Sequence, residues 1–164
     1  MKKLIILFIA VVGFGVSSFG QVATVNGTAT ATLITPISIT ADRNLAFGVM
    51  ASSGTDGVVV ISNEATATRL NSDGNVDLVG GAFTSAQFTV KCQASNPFTF
   101  VLPSSTVEIT AGSGSDKLSV TSFTQSAHGT TATEIIYVGA SITIPSTAVV
   151  GSYTGTFAVT AAYN

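Results

Sequence analysis

The chain has 164 residues, only 9% of them charged, and a formal net charge of −2. So few basic residues cannot form a clustered cationic face, which argues against nucleic acid as a partner. A single cysteine, Cys92, rules out an intramolecular disulfide, so burial and sheet hydrogen bonding must hold the fold together.

In chain order, Lys2 and Lys3 precede an apolar run, Leu4–Phe19, broken only by Gly and Ser, and small residues stand at Ser18 and Gly20. The run is shorter than the ~20 residues that cross a bilayer. It predicts a cleaved secretory signal over residues 1–20 and one domain over 21–164 with no transmembrane segment. Such a protein is secreted through the periplasm to the cell surface or beyond. Past this segment the basic residues are Arg43, Arg69, Lys91 and Lys117, and Ser and Thr supply most of the polarity. Strands with so few charges invite edge-to-edge pairing.

Nothing after the signal reads as helix, and turn residues recur about every 8 to 12 residues, so an all-β antiparallel sandwich of nine or ten short strands is expected. Residues 21–35 alternate: Ala23, Val25, Gly27, Ala29, Ala31 and Leu33 on one face, Thr24, Asn26, Thr28, Thr30 and Thr32 on the other. Pro36 interrupts, Ile37–Thr40 continues as a short strand, and a polar turn is expected at Ala41–Asn44 before Leu45–Gly48. Val58–Ile61 reads as a strand buried on both sides. Thr66–Leu70, Val76–Val79, Ala86–Cys92, Phe98–Leu102, Val107–Thr110, Leu118–Phe123, Glu134–Val138 and Ser141–Ile144 follow. The chain ends on its most regular alternation, Tyr153, Gly155, Phe157, Val159, Ala161 and Tyr163, led in by Gly151. The expected core is Ile39, Phe47, Val59, Phe88, Val90, Phe100, Leu102, Phe123, Ile135, Phe157 and Val159.

Residues able to carry chemistry are scattered. His128 is the lone histidine and lies in a small polar loop, with no acid beside it and no Gly-x-Ser-x-Gly nucleophile turn. Glu64, Glu108 and Glu134 are the material for a carboxylate pair, and the sequence does not bring them together. Asn71, Asp73, Asn75 and Asp77 alternate like the start of a calcium loop. The sixth position, Val76, is not Gly and the twelfth, Ala82, is not Glu, so a hairpin turn suits them better. Cys92 reads as a small buried hydrophobe. Asn26-Gly27-Thr28 fits a glycosylation acceptor. No catalytic residue, metal ligand or cofactor is expected, and the chain reads as a non-enzyme.

Two stretches resemble chaperone–usher pilins. VATVNGTATA, after a signal, is similar to a pilin donor segment, and GSYTGTFAVTAAYN ends on a penultimate Tyr163 with alternating Phe157, Val159 and Ala161 before it. TPISITADRNLAFG, GAFTSAQFTV and FTFVLP resemble secreted bacterial domains of unknown function related to the immunoglobulin-like sandwiches of pilins and spore-coat-U-type proteins. The resemblance implies a sandwich lacking one strand, completed by a neighbour's N-terminal segment. Donor positions would be Ala23, Val25, Gly27, Ala29 and Ala31. Acceptor-edge positions would be Gly151, Tyr153, Phe157, Val159, Ala161 and Tyr163. The implied partners are copies of the chain or related subunits, with a periplasmic chaperone and an usher; the implied role is a structural subunit of a surface fibre or coat. Residues 21–35 also fit an ordinary first strand within their own sheet, in which case the chain is a self-contained secreted or cell-surface binding module, adhesin-like in role.

Overall fold

The computed structural model describes residues 20–112 and 115–164, and apart from Gly20 the expected signal lies outside them. The chain divides between Leu33 and Ile34 into two units. In the first, Gly20–Leu33 forms no strand and every residue is exposed, with Val22, Val25 and Leu33 at 84%, 95% and 99%. The alternation of this stretch is thus not matched by a ladder partner, and its backbone is left to water.

The second unit contains twelve strands among the described residues: β1 (Ser38–Arg43), β2 (Val49–Ser52), β3 (Gly57–Ile61), β4 (Arg69–Asn71), β5 (Val76–Gly80) and β6 (Ala86–Lys91). There follow β7 (Phe98–Val101), β8 (Val107–Ala111), β9 (Lys117–Gln125), β10 (Thr133–Ile144), β11 (Tyr153–Thr154) and β12 (Thr160–Tyr163). All pairings are antiparallel. The expected all-β sandwich is the fold observed. One layer is an eight-stranded sheet in the order β1-β6-β10-β9-β8-β11, with β3 on β10 and β4 on β3. Facing it are two short ladders, β7–β12 and β2–β5.

Strand β10 organises the large sheet. Its residues Thr133–Val138 pair with β6 and Ala140–Ile144 with β3, while β9 runs along the opposite side. Alternate positions Ile136, Val138, Ala140, Ile142 and Ile144 are all buried, so one inward row serves both halves of the core. Gly139 marks the change of partner: a Cβ there would stand 2.2 Å from the Ile61 carbonyl oxygen. Opposite, Ser122 has φ of 52° and β9 bulges, so Leu118 and Val120 point inward before the bulge and Phe123 after it.

Several expectations are corrected. Glu134–Val138 and Ser141–Ile144 are one strand, because Gly139 lets the chain pass close to Ile61–Asn63 without breaking. The expected turn at Ala41–Asn44 belongs to β1 through Arg43, with the irregularity absorbed as a bulge between Ala41 and Arg43. Val58–Ile61 is not buried on both sides: Val59 and Ile61 are buried, and Val58 and Val60 are half-buried. The final alternation is two strands, β11 on β8 and β12 on β7, with five residues between them outside any ladder.

Of the expected core, Val59, Phe88, Val90 and Phe100 are buried, and Phe47, Leu102, Phe123, Phe157 and Val159 are half-buried against the core. Ile135 is 46% exposed, because the inward row of β10 is the even-numbered one. Ile39 is 37% exposed; it faces Val90 across the ladder but lies on the edge strand. The phase of β10 is testable. Ile136→Ala should cost about 2–5 kcal/mol in urea denaturation, whereas Ile135→Ala should stay within about 0.5 kcal/mol. Equal losses would mean that the row is misassigned.

Candidate functional site

The two ladders of the second layer close the core unequally. At one end β7 and β12 cover it: Phe98 and Phe100, with Ala161 and Tyr163, pack on Phe88, Val90, Ile136 and Val138. The Tyr163 hydroxyl locks this end, accepting from the Gln93 N–H at 2.6 Å and donating to the Thr35 carbonyl at 2.7 Å.

At the other end a groove of about 1370 Å³ opens onto the large sheet. Its floor includes Phe88, Leu118, Val120, Phe123, Ile142 and Ile144, with Val107 and Ile109 of β8 alongside. One wall is Leu45–Ser52, including β2; the other is Ala148–Phe157, including β11. Val49 and Val149 on the rims are 55% and 53% exposed, and Val150 is fully exposed. Small-molecule pockets measure about 300–1,000 Å³, so this groove is larger than a compact ligand fills.

The walls carry backbone as well as side chains. Strand β2 is hydrogen-bonded to β5 along one edge, and the opposite edge has no ladder partner among the described residues. Gly155–Val159 has no ladder partner either. Gly155 makes the crossing between layers feasible, since a Cβ there would lie 2.7 Å from Ile109 Cγ2 and 3.0 Å from the Glu108 carbonyl oxygen. Part of this backbone is already bonded, Ala46 to Thr84, the Phe47 and Val49 carbonyls to Arg69 and the Val149 carbonyl to the Tyr153 hydroxyl. The groups left outside any ladder beside the apolar floor are the features that an added strand satisfies.

The expected acceptor positions separate. Gly151, Tyr153 and Phe157 line the groove. Val159, Ala161 and Tyr163 lie at the closed end, packed on the Phe88–Phe100 cluster. The donor candidates Ala23, Val25, Gly27, Ala29 and Ala31 are exposed in the first unit. Sequence reasoning missed the opposite wall, Leu45 to Met50, because β2 is four residues long and follows Gly48, whose φ is 79°.

Other chemistry-bearing residues serve local structure. Both Asp73 carboxylate oxygens accept backbone N–H groups, from Val58 at 2.9 Å and Asn75 at 3.1 Å. Asn71 bonds Gly74 N–H and the Val76 carbonyl, so the Asn71–Asp77 string is held as a turn. Cys92 is buried and its thiol donates to the Thr131 carbonyl at 3.1 Å. His128 is half-buried and stacks on Phe98, ring centroids 4.5 Å apart. Its loop is gathered by Glu134, which accepts from Gly129 N–H at 3.0 Å and from Thr131 N–H and hydroxyl at 2.7 and 2.6 Å. These bonds, the Thr131 hydroxyl foremost, hold the Glu134 carboxyl below its usual range.

Residues 37–163 match the family described as Domain of unknown function (DUF4402), a span lying within the second unit. No curated protein and no solved structure matches the chain.

Because the folded Glu134 carboxyl titrates below its ordinary value of about 4.3, it adds stability above that value and loses it as pH falls through the folded one. Glu134→Gln should therefore be less stable than wild type near neutrality. The gap should narrow in urea titrations as pH falls below that ordinary value and through the lowered folded one. A gap independent of pH would show that the carboxylate charge does not hold the loop.

Proposed function

The chain belongs to this family, and we propose that it is a non-enzymatic structural subunit of a bacterial surface fibre or coat, whose groove takes residues 21–33 of a second copy as an added strand. The observation behind this reading is that one chain carries both halves of such a joint: a largely apolar groove with wall backbone outside any ladder, at the free edge of β2 and at Gly155–Val159, and an exposed alternating segment in no ladder. At ~3.3 Å per residue, Ala23–Leu33 held as a strand extends over about 36 Å.

Small side chains at Ala23, Val25, Gly27, Ala29 and Ala31 would point to the floor, and Thr24, Asn26, Thr28 and Thr30 to solvent. Burying Val25 and Leu33 would gain about 1.5–3 kcal/mol each, beyond the main-chain bonds. A subunit in transit with its groove open is an aggregation hazard. The reading therefore implies a periplasmic chaperone that covers the groove and an usher that exchanges it for the next copy. It also implies export to the cell surface.

The test is light scattering on residues 21–164 and on residues 34–164, together with binding of a synthetic 21–33 peptide to the shorter form. Multimers from the longer chain, monomer from the shorter, and saturable peptide binding are expected. Val25→Asp should weaken the peptide by at least about 10-fold, as a buried carboxylate without a partner requires. A monomeric longer chain whose shorter form ignores the peptide would overturn the reading and leave a self-contained binding module.

A further inference from the structure

We propose that Asn26–Gly27 is a self-modification site, at which the chain converts asparagine to isoaspartate and so retires subunits whose N-terminal segment has not been taken up. The chemistry needs only the chain and water. The Gly27 backbone nitrogen attacks Asn26 Cγ, the N–Cγ bond forms, the Cγ–Nδ2 bond breaks, and ammonia leaves with the proton from Gly27. Water then opens the succinimide, at Cγ to give aspartate or at the main-chain carbonyl to give isoaspartate.

Ring closure needs an exposed amide, a backbone free to bend, and a following residue with an unobstructed N–H. Asn26 and Gly27 are exposed and outside any strand, and nothing lies within 4 Å of the position a Gly27 Cβ would occupy. Glycine also visits backbone conformations closed to other residues. The remaining asparagines lack one condition or more. Asn71 and Asn75 have side chains bonded to backbone groups. Asn96 precedes Pro97, which has no N–H, and Asn44, Asn63, Asn71 and Asn75 precede residues with side chains. Aspartate before glycine reacts by the same ring. However, Asp73 has both carboxylate oxygens bonded, and Asp56 accepts Ser146 N–H at 2.7 Å beside Gly57 of β3. Asn26–Gly27 alone meets every condition.

The modification itself does not depend on the proposed function; its consequence rests on that reading. Isoaspartate inserts one methylene into the main chain and adds a carboxylate at the centre of the donor. Ala29, Ala31 and Leu33 then fall out of phase with Ala23 and Val25, and a strand out of phase presents its wrong face. An added strand is held extended on both sides, so uptake would block ring closure.

The experiment is to age purified protein at mildly alkaline pH and follow each asparagine by peptide mass spectrometry. Isoaspartate is quantified in parallel by enzymatic methyl labelling. Asn26 should convert first, and Gly27→Ala should slow it about 10-fold, as loss of glycine's conformational freedom implies. Aged and fresh protein are then compared for assembly, with Asn26→Gln as the variant that keeps the amide but resists cyclisation. Conversion of Asn26 no faster than Asn44 or Asn63 would overturn the site. Assembly of aged protein as readily as fresh would overturn the retirement. If fresh protein fails to assemble while Asn26 still converts, the strand-addition reading is what fails, and the retirement falls with it.

Discussion

The inward row of β10 is the constraint on which the rest of the domain depends. Ile136, Val138, Ala140, Ile142 and Ile144 are each at most 6% exposed, and they bind two separate sets of neighbours into one sheet. Ile136 and Val138 meet the closed end, with Phe98 and Phe100 above them; Ala140, Ile142 and Ile144 underlie the groove end, with Val59 and Val76. The join requires three local departures from regular strand at the same level: Gly139, the β9 bulge at Ser122, and the handover from β6 to β3. A side chain at 139 would meet main-chain atoms of Ile61–Asn63, which cannot yield as a flexible side chain would.

That shared row makes an open groove tolerable. An aromatic cluster joins the closed end to the groove, with Phe88 5.8 Å from Phe100 and 6.1 Å from Phe157, and Phe157 5.0 Å from Phe123. Such contacts add about 0.5–1.5 kcal/mol each beyond area burial. Stability concentrated there passes along β10 to a half whose second layer is incomplete. Leu45, Phe47, Met50, Val107, Ile109 and Tyr153 are only partly buried as a result. They are side chains that further cover would bury, together with the more exposed Val49, Val149 and Val150 on the rims.

The fold class was legible because alternation and turn residues are local signals. Phe88, Val90 and Phe100 could be placed inward from their own strands. What could not be read was set by non-local geometry. Which of Ile135 and Ile136 faces the core depends on the register of β10 against β6, and two adjacent isoleucines carry no phase. The C-terminal alternation is regular in sequence, yet its partners, β8 and then β7, lie in different layers. Half of the candidate site was legible in Gly151, Tyr153 and Phe157. The facing wall was not, since β2 is short and its partner β5 comes some thirty residues later in the chain.

The scarcity of charge acquires a physical sense here. Charged side chains on exposed edges normally block unwanted pairing, but this chain commits its arginines elsewhere. Arg69 donates to the carbonyls of Phe47, Val49 and Gly80 and lies over Phe83, fixing the end of the β2–β5 ladder. Arg43 donates to the Ser85 carbonyl and hydroxyl and to the Ala65 carbonyl, tying β1 to the chain entering β6 and to the loop after β3. Lys117 pairs with Glu108 across β8 and β9. These charges stiffen the frame around the groove. Under the proposed strand addition, selection of what enters the groove would fall to shape, to alternation and to main-chain groups outside any ladder, which are properties an extended Thr- and Ala-rich strand can match and a charged segment cannot.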